Sequence, residues 1–259
     1  MVSLWSEYGG GCYKMKKLLP LLVLILIGCS KEPINMDEML IERNDVYYTK
    51  DTNQPYSGPV FVLYPDDEFF LLEYEVTLKD GKLHGPYKTY FENGQIEREG
   101  IFKNGVQDGP FKMYNEYGKI TEEGTMKSDK IYGHHKEYHY YDNGQLQYEE
   151  TYKNGELDGP VKEYYENGKL WTEGTFKDGE LDGPFKEYYD NGQLQYESPY
   201  KDGKLHGPFK SYHENGQLLE EGTFKDGVRD GLQKFYDENG QLESEGTWKD
   251  GELIESKEY

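Results

Sequence analysis

Cysteine is almost missing from this chain: two in 259 residues cannot build a disulfide framework. Hydrophobic residues reach only 35%, and mean hydropathy is -0.97, which excludes a thick two-layer core. Basic residues are scarce as well, 29 Lys and Arg against 50 Asp and Glu, for a net charge of -21. A surface that acidic is repelled by phosphate backbones, so nucleic acid is excluded as a partner. Long apolar runs are missing too, since the run from Leu18 to Ile27 falls short of the about 20 residues that a membrane-spanning helix needs. What the chain does contain is 26 Tyr and 31 Gly. Tyrosine suits half-wet strands and glycine suits tight turns, so the composition is all-β.

The short apolar run reads as a targeting segment. From Met15 the sequence MKKLLPLLVLILIGCS has two lysines, an apolar stretch and a small residue before Cys29. Leu26-Ile27-Gly28-Cys29 resembles the lipobox of bacterial lipoproteins in all four places. That resemblance implies removal of residues 1–28, acylation of Cys29 with palmitate, and attachment to a membrane through the lipid anchor. Met1 to Lys14 make poor sense as the start of a signal, so the true start is expected at Met15 and Cys12 is then never made. Ser30 after the lipid cysteine fits outer-membrane sorting in a Gram-negative host. Residues 29–55, charged and nearly free of aromatics before Tyr47, are expected to form the lipidated N-terminus and a stalk.

Beyond the stalk the sequence repeats. Gly85, Gly109, Gly133, Gly159, Gly183, Gly207 and Gly231 recur at a period of 24 with one interval of 26. The unit GPFKEYYDNGQLQYESPYKDGKLH reads as strand, Asn-Gly turn, strand, Asp-Gly turn, with both dipeptides favouring type I′ geometry. Tyr117-Gly118 and Ser128-Asp129 are the exceptions. A two-residue loop at Asn191-Gly192 sets Tyr189 opposite Leu194, Lys186 opposite Glu197 and Phe185 opposite Ser198. Lys and Glu recur at that pair in every unit, from Lys88 with Glu99 to Lys234 with Glu245, including Lys136 with Glu149. Such opposed charges fix register at roughly 0.2–1 kcal/mol each and do not suggest catalysis. Side-chain alternation then assigns Phe185, Tyr189, Leu194 and Tyr200 to one face, and Lys186, Tyr188 and Glu197 to the other. The even period, even with two residues inserted near His139, keeps one apolar side throughout. The expected fold is therefore all-β, an elongated twisted single-layer antiparallel sheet of tandem β-hairpin repeats.

Phe176-Lys177-Asp178-Gly179-Glu180-Leu181-Asp182-Gly183 resembles the core of a MORN repeat, and Phe102 to Gly109, Tyr152 to Gly159 and Phe224 to Gly231 match it as well. The array is similar to the MORN-variant repeats of bacterial lipoproteins, many of them YwqK-like antitoxins of toxin-antitoxin systems. The resemblance covers Asp80 to Gly251 and more weakly Tyr56 to Lys79, so residues 80–259 are expected as the repeat array with 56–79 as a degenerate first repeat, and it implies protein binding or scaffolding without catalytic residues.

The remaining candidates are weak. His134, His135 and His139 cluster at the irregular unit, but no cysteine or second cluster completes a zinc set, so no metal is expected. The Asp-Gly turns lack the alternating oxygen ligands and closing glutamate of a calcium loop. Without a nucleophile elbow, phosphate loop or HExxH helix, no enzyme and no cofactor are expected. An apolar aromatic face on a single sheet calls for a protein partner, and its exposed members are expected to include Phe185, Tyr189, Tyr196, Tyr165, Phe209 and Tyr148. The alternative is a glycan or cell-wall ligand stacked on the same aromatic rows or on Trp171.

Overall fold

The computed structural model describes residues 31–65 and 71–259. The signal segment, Cys12, Cys29 and Ser30 lie outside the described residues. Residues Glu32–Tyr259 make one unit, and among the described residues its repeats, together with Ile34–Asn35, form one open sheet of 23 strands. Along the array each strand pairs antiparallel with the next in the chain, as in Glu180–Tyr188 with Leu194–Lys201 and Gly207–Tyr212 with Leu218–Lys225. Only neighbours touch, which is the expected consequence of a unit too thin to bury its own face.

The two turns of the repeat differ. Asp202 and Gly203 have φ of 47° and 72°, and Lys201 faces Lys204, so this turn is the expected type I′. At the other end Tyr189 N–H donates to Gln193 O and Gly192 N–H to Tyr189 O, which encloses three residues, Asp190-Asn191-Gly192. Gly192 is left-handed at φ 91°, whereas Asn191 is not. The expected type I′ turn is therefore replaced by a type I turn closed with a glycine bulge. Asn191 explains the preference: its Oδ1 accepts from Gln193 N–H at 2.8 Å while its Nδ2 donates to Glu214 O of the next hairpin.

A second irregularity, between Glu187 and Tyr188, restores the phase. Lys186 therefore faces Glu197 and Phe185 faces Ser198 as expected, but Tyr188 and not Tyr189 faces Leu194. The Lys/Glu register also holds at Lys88, Lys112, Lys162, Lys210 and Lys234. It fails at the long unit, where Lys136 faces Thr151. The two added residues lie in the first strand and slide the pairing by two, although Lys136 Nζ still reaches Glu149 Oε1 at 2.6 Å. A slip of two preserves side-chain parity, so the faces are kept.

The stalk expectation is corrected from Ile34 onward. Ile34 and Asn35 pair parallel with Val60 and Phe61, and Asn35 caps the short helix Met36–Met39 by accepting from Asp37 and Glu38 N–H. Leu40–Arg43 and Val46–Thr49 form a separate two-stranded sheet. Met36, Leu40 and Tyr56 are buried against Val60, Val76, Leu78 and Tyr87. Few large apolar residues suffice here, because they close the end of an array whose first hairpin has no preceding neighbour. The first repeat is a true hairpin, Gly58–Leu63 on Leu72–Lys79.

Candidate functional site

The aromatic face is built by position in the repeat. Phe185 lies between Gly174 of the preceding hairpin and Ser198 of its own, and a Cβ on Gly174 would come within 2.9 Å of its ring. Tyr87 over Gly100 and Phe111 over Gly124 do the same with the glycine of their own hairpin. Small residues let the rings lie flat along the sheet and cover bare backbone. The Phe185 ring sits 5.5 Å from Tyr196 and 5.6 Å from Tyr200, Tyr196 sits 5.9 Å from Phe209, and Phe209 sits 5.3 Å from Phe224. A continuous run of rings therefore crosses two successive hairpins.

The six expected face residues are half-buried rather than exposed, because each ring lies along the sheet against its neighbours. Phe185, Tyr196 and Phe209 come together in the run just described. Tyr148 stacks on His139 at 4.1 Å in the long unit. Tyr165 and Tyr189 stand apart from the run, at the Asn-Gly tips, where their hydroxyls donate to Tyr188 O and Tyr212 O of the following hairpin. These two tie repeat to repeat, which parity alone could not reveal. Trp171 is exposed beside Tyr165, with the rings 5.7 Å apart.

Carboxylates on this same face were missed. Glu187 pairs with Tyr196, and Glu137 pairs with Glu150. Burial, together with Glu150 and Glu187 nearby, pushes the Glu163 carboxyl above the usual carboxylate range. The signal was present in the sequence, since Glu187 lies two residues from Phe185 and alternation puts both on one side.

The opposite face carries the Lys/Glu ladder, but lysine is only one partner of each glutamate. Glu123 takes Lys112 Nζ at 3.2 Å and the Tyr138 hydroxyl at 2.8 Å. Those two donors, the tyrosine first, hold its carboxyl below the ordinary value. Among the histidines, His134 Nε2 lies 2.6 Å from Asp158 Oδ1, whereas His135 and His139 flank Glu137 at 3.5 and 3.7 Å. No group of metal-ligating residues suited to an ion occurs among the described residues.

No curated protein matches the chain. Among solved structures, one chain of the crystal structure of TcdB2-TccC3-Cdc42 is similar at 13% identity and TM-score 0.28, over 74% of this chain and 13% of that one. A chain of the crystal structure of TcdB2-TccC3 is similar at 12% identity and the same TM-score, over 78% of this chain and 16% of that one. Likeness at that level bears on neither fold nor function. The model of the MORN repeat variant matches residues 83–104, 134–154, 157–178, 181–202, 205–226 and 229–250, together half of the chain. It passes over Gly109–Tyr114 and Ile120–Lys127, the hairpin with Tyr117-Gly118 and Ser128-Asp129 at its turns, yet these strands pair like the rest. By six matched repeats and the hairpin geometry they share, the chain belongs to the MORN repeat variant family.

Proposed function

We propose that this protein is a lipoprotein anchored through Cys29 in the cell envelope, and that its repeat array is a non-catalytic scaffold binding a protein partner on the aromatic face. The observation that carries this reading is the run of rings from Phe185 through Tyr196 and Phe209 to Phe224. Burying such rings against a partner contributes roughly 25 cal/mol per Å2 of apolar surface, whereas the ladder on the other face is already satisfied within the sheet. A YwqK-like antitoxin, neutralising its partner by covering it, is the role within the family that fits a binder without catalytic groups.

Two measurements test the two halves of the proposal. Radioactive palmitate should label the wild-type chain and not Cys29→Ala, and label persisting in the variant rejects the anchor. For binding, the full chain and a Phe185→Ser/Phe209→Ser variant are used to capture partners from solubilised envelope, followed by mass spectrometry. A partner held equally by both rejects the aromatic face, and sedimentation with purified cell wall in place of any protein partner favours a glycan ligand.

A further inference from the structure

Only three arginines occur in the chain, and each lies over an aromatic ring: Arg43 over Tyr48 at 5.9 Å, Arg98 over Phe111 at 5.8 Å, and Arg229 over Phe235 and Trp248 at 5.6 Å. Arg98 and Arg229 belong to the aromatic face, at its two ends. Arg229 also donates through Nε at 3.2 Å and Nη2 at 2.7 Å to Glu220 Oε1. A guanidinium held between rings and a carboxylate combines a cation-π contact with a charge-assisted hydrogen bond. The chain thus supplies its own example of what this face accepts.

The middle of the face has the same rings and carboxylates and no arginine. Glu137, Glu163 and Glu187 hold one position of the repeat, and Glu150 is the cross-strand partner of Glu137. Glu150 accepts from the Tyr152 hydroxyl, but among the described residues no Lys or Arg forms an ion pair with Glu150, Glu163 or Glu187. Like charges opposed on a ladder destabilise it. A cation bound from outside would remove that cost. His135 borders the row: it is 8% exposed, its Nε2 lies 3.5 Å from Glu137 Oε1, and its Nδ1 is buried without a hydrogen-bond partner. The net charge of -21 favours encounter with a basic partner.

Spacing narrows the occupant. Glu163 and Glu187, equivalent residues of successive hairpins, are two strands apart, about 10 Å, and Glu150 lies on the strand directly beside that of Glu163. A polyproline II segment has three residues per turn and a rise of about 3.1 Å, so every third side chain falls on one side at about 9 Å intervals. We propose that the middle of the aromatic face binds a basic polyproline II segment of its protein partner, with arginines three positions apart seated between the rings and, in turn, the neighbouring carboxylates of Glu150 and Glu163 and the carboxylate of Glu187. This rests on the reading that the aromatic face is the binding surface, and it adds the chemistry of what binds there.

The test uses the full chain in detergent and two synthetic 12-residue peptides, designed on the threefold turn, of one composition: repeated Arg-Pro-Ala, and the same residues with the arginines clustered. Fluorescence anisotropy should show the spaced peptide binding, with at least tenfold loss in Glu150→Gln/Glu163→Gln/Glu187→Gln and a further weakening as salt rises. Glutamine keeps the volume and an acceptor, and unchanged circular dichroism establishes that the variant is folded. Equal binding by the variant overturns the proposal, as does equal binding of the clustered peptide or no binding of either peptide. Binding of peptidoglycan fragments instead of peptide overturns it in favour of a glycan. A captured partner lost with Phe185→Ser/Phe209→Ser but kept by the glutamine variant overturns the arginine site alone, whereas a partner kept by both overturns the choice of face itself.

Discussion

The hydroxyl of Tyr188 donates to Glu173 Oε1 at 2.9 Å, reaching from one hairpin back to the one before it. Tyr90 to Glu75, Tyr114 to Glu99, Tyr138 to Glu123 and Tyr236 to Glu221 repeat the bond with the same separation of 15 residues. Tyr164 is the exception: its hydroxyl forms no bond to Glu149, which takes Lys136 Nζ at 2.6 Å. The Lys/Glu pairs are partly exposed and reach 3.9 Å at Lys186 and Glu197, so the tyrosines contribute the more definite link between units.

From this relationship, Tyr188→Phe should cost about 1–2 kcal/mol, between the net value of an ordinary intramolecular hydrogen bond and that of a bond to a charged group, because this one is only part-buried. Lys186→Met should cost less, because its ion pair is longer and more exposed. Denaturant midpoints of the two variants compare them directly. A larger loss in the lysine variant would mean that the charge ladder, and not the tyrosine ladder, joins the repeats.

Alkaline pH should take the sheet apart. Burial, with the Glu99 carboxylate in second place, pushes the Tyr114 hydroxyl up to about 12, and burial with Glu173 does the same for Tyr188. A raised folded value means stability that is fully present below the unfolded value of about 10 and is lost as pH rises through the folded one. Tyrosinate absorbance and circular dichroism should therefore change together between about 10 and about 12. Ordinary titration near 10 with the sheet intact would remove the bond from the account.

Much of this fold was legible because the repeat states it many times. Period, strand count per unit, the Lys186–Glu197 register and the Phe185–Ser198 pairing all came from spacing and parity. The tip turn was misread because Asn191-Gly192 has two uses, and its choice depends on a carbonyl, Glu214 O, belonging to the next hairpin. Two compensating irregularities then left the outer register correct. The tyrosine ladder and the ties made by Tyr165 and Tyr189 were illegible for the same reason: each joins residues 15 or 23 apart, and hydroxyl direction leaves no mark in a pattern of polar and apolar residues. The folded segment from Ile34 to Tyr56 was hidden by its charge, since Met36, Leu40 and Tyr56 are too few to show a period.

Glu163→Gln should stabilise the array at neutral pH. Burial and two neighbouring carboxylates raise its folded value, so the charged form is disfavoured in the sheet relative to the unfolded chain. The penalty exists above the folded value and vanishes below the unfolded value of about 4.3. The gain should be a few tenths of a kcal/mol, in the range of roughly 0.2–1 for a cross-strand pair, and should disappear on acidification. Thermal unfolding at neutral and acid pH measures both, and a gain that persists in acid would assign it to packing instead of charge.

Unfolding should be graded along the chain, with its weak joint at the unit from Lys130 to Lys153. Elsewhere each Asp-Gly turn is tied back to the preceding unit, as Gly179 N–H to Leu157 O, Gly203 to Leu181 O, Gly227 to Leu205 O and Gly251 to Arg229 O. Even the turn without glycine, Ser128-Asp129, keeps this bond through Asp129 N–H to Gln107 O. The equivalent bond from Gly155 to Ile131 is not formed. The Asn-Gly tip on the preceding hairpin is weakened as well, because Tyr117 replaces the asparagine whose amide elsewhere reaches the next carbonyl, as Asn143 does to Glu166 and Asn191 to Glu214. Ser128 and Asp129 both sit in the left-handed region without glycine, at φ 50° and 63°, a strain of the order of 1 kcal/mol or more. Since stability in such an array is nearly a sum of local and nearest-neighbour contributions, these losses cannot be spread over distant units. Native-state hydrogen exchange should therefore show residues 128–153 opening at lower free energy than 157–201, with the N-terminal hairpins over Val60, Val76 and Leu78 the slowest to exchange. One uniform opening energy along the whole sheet would mean that the repeats fold as a single cooperative block.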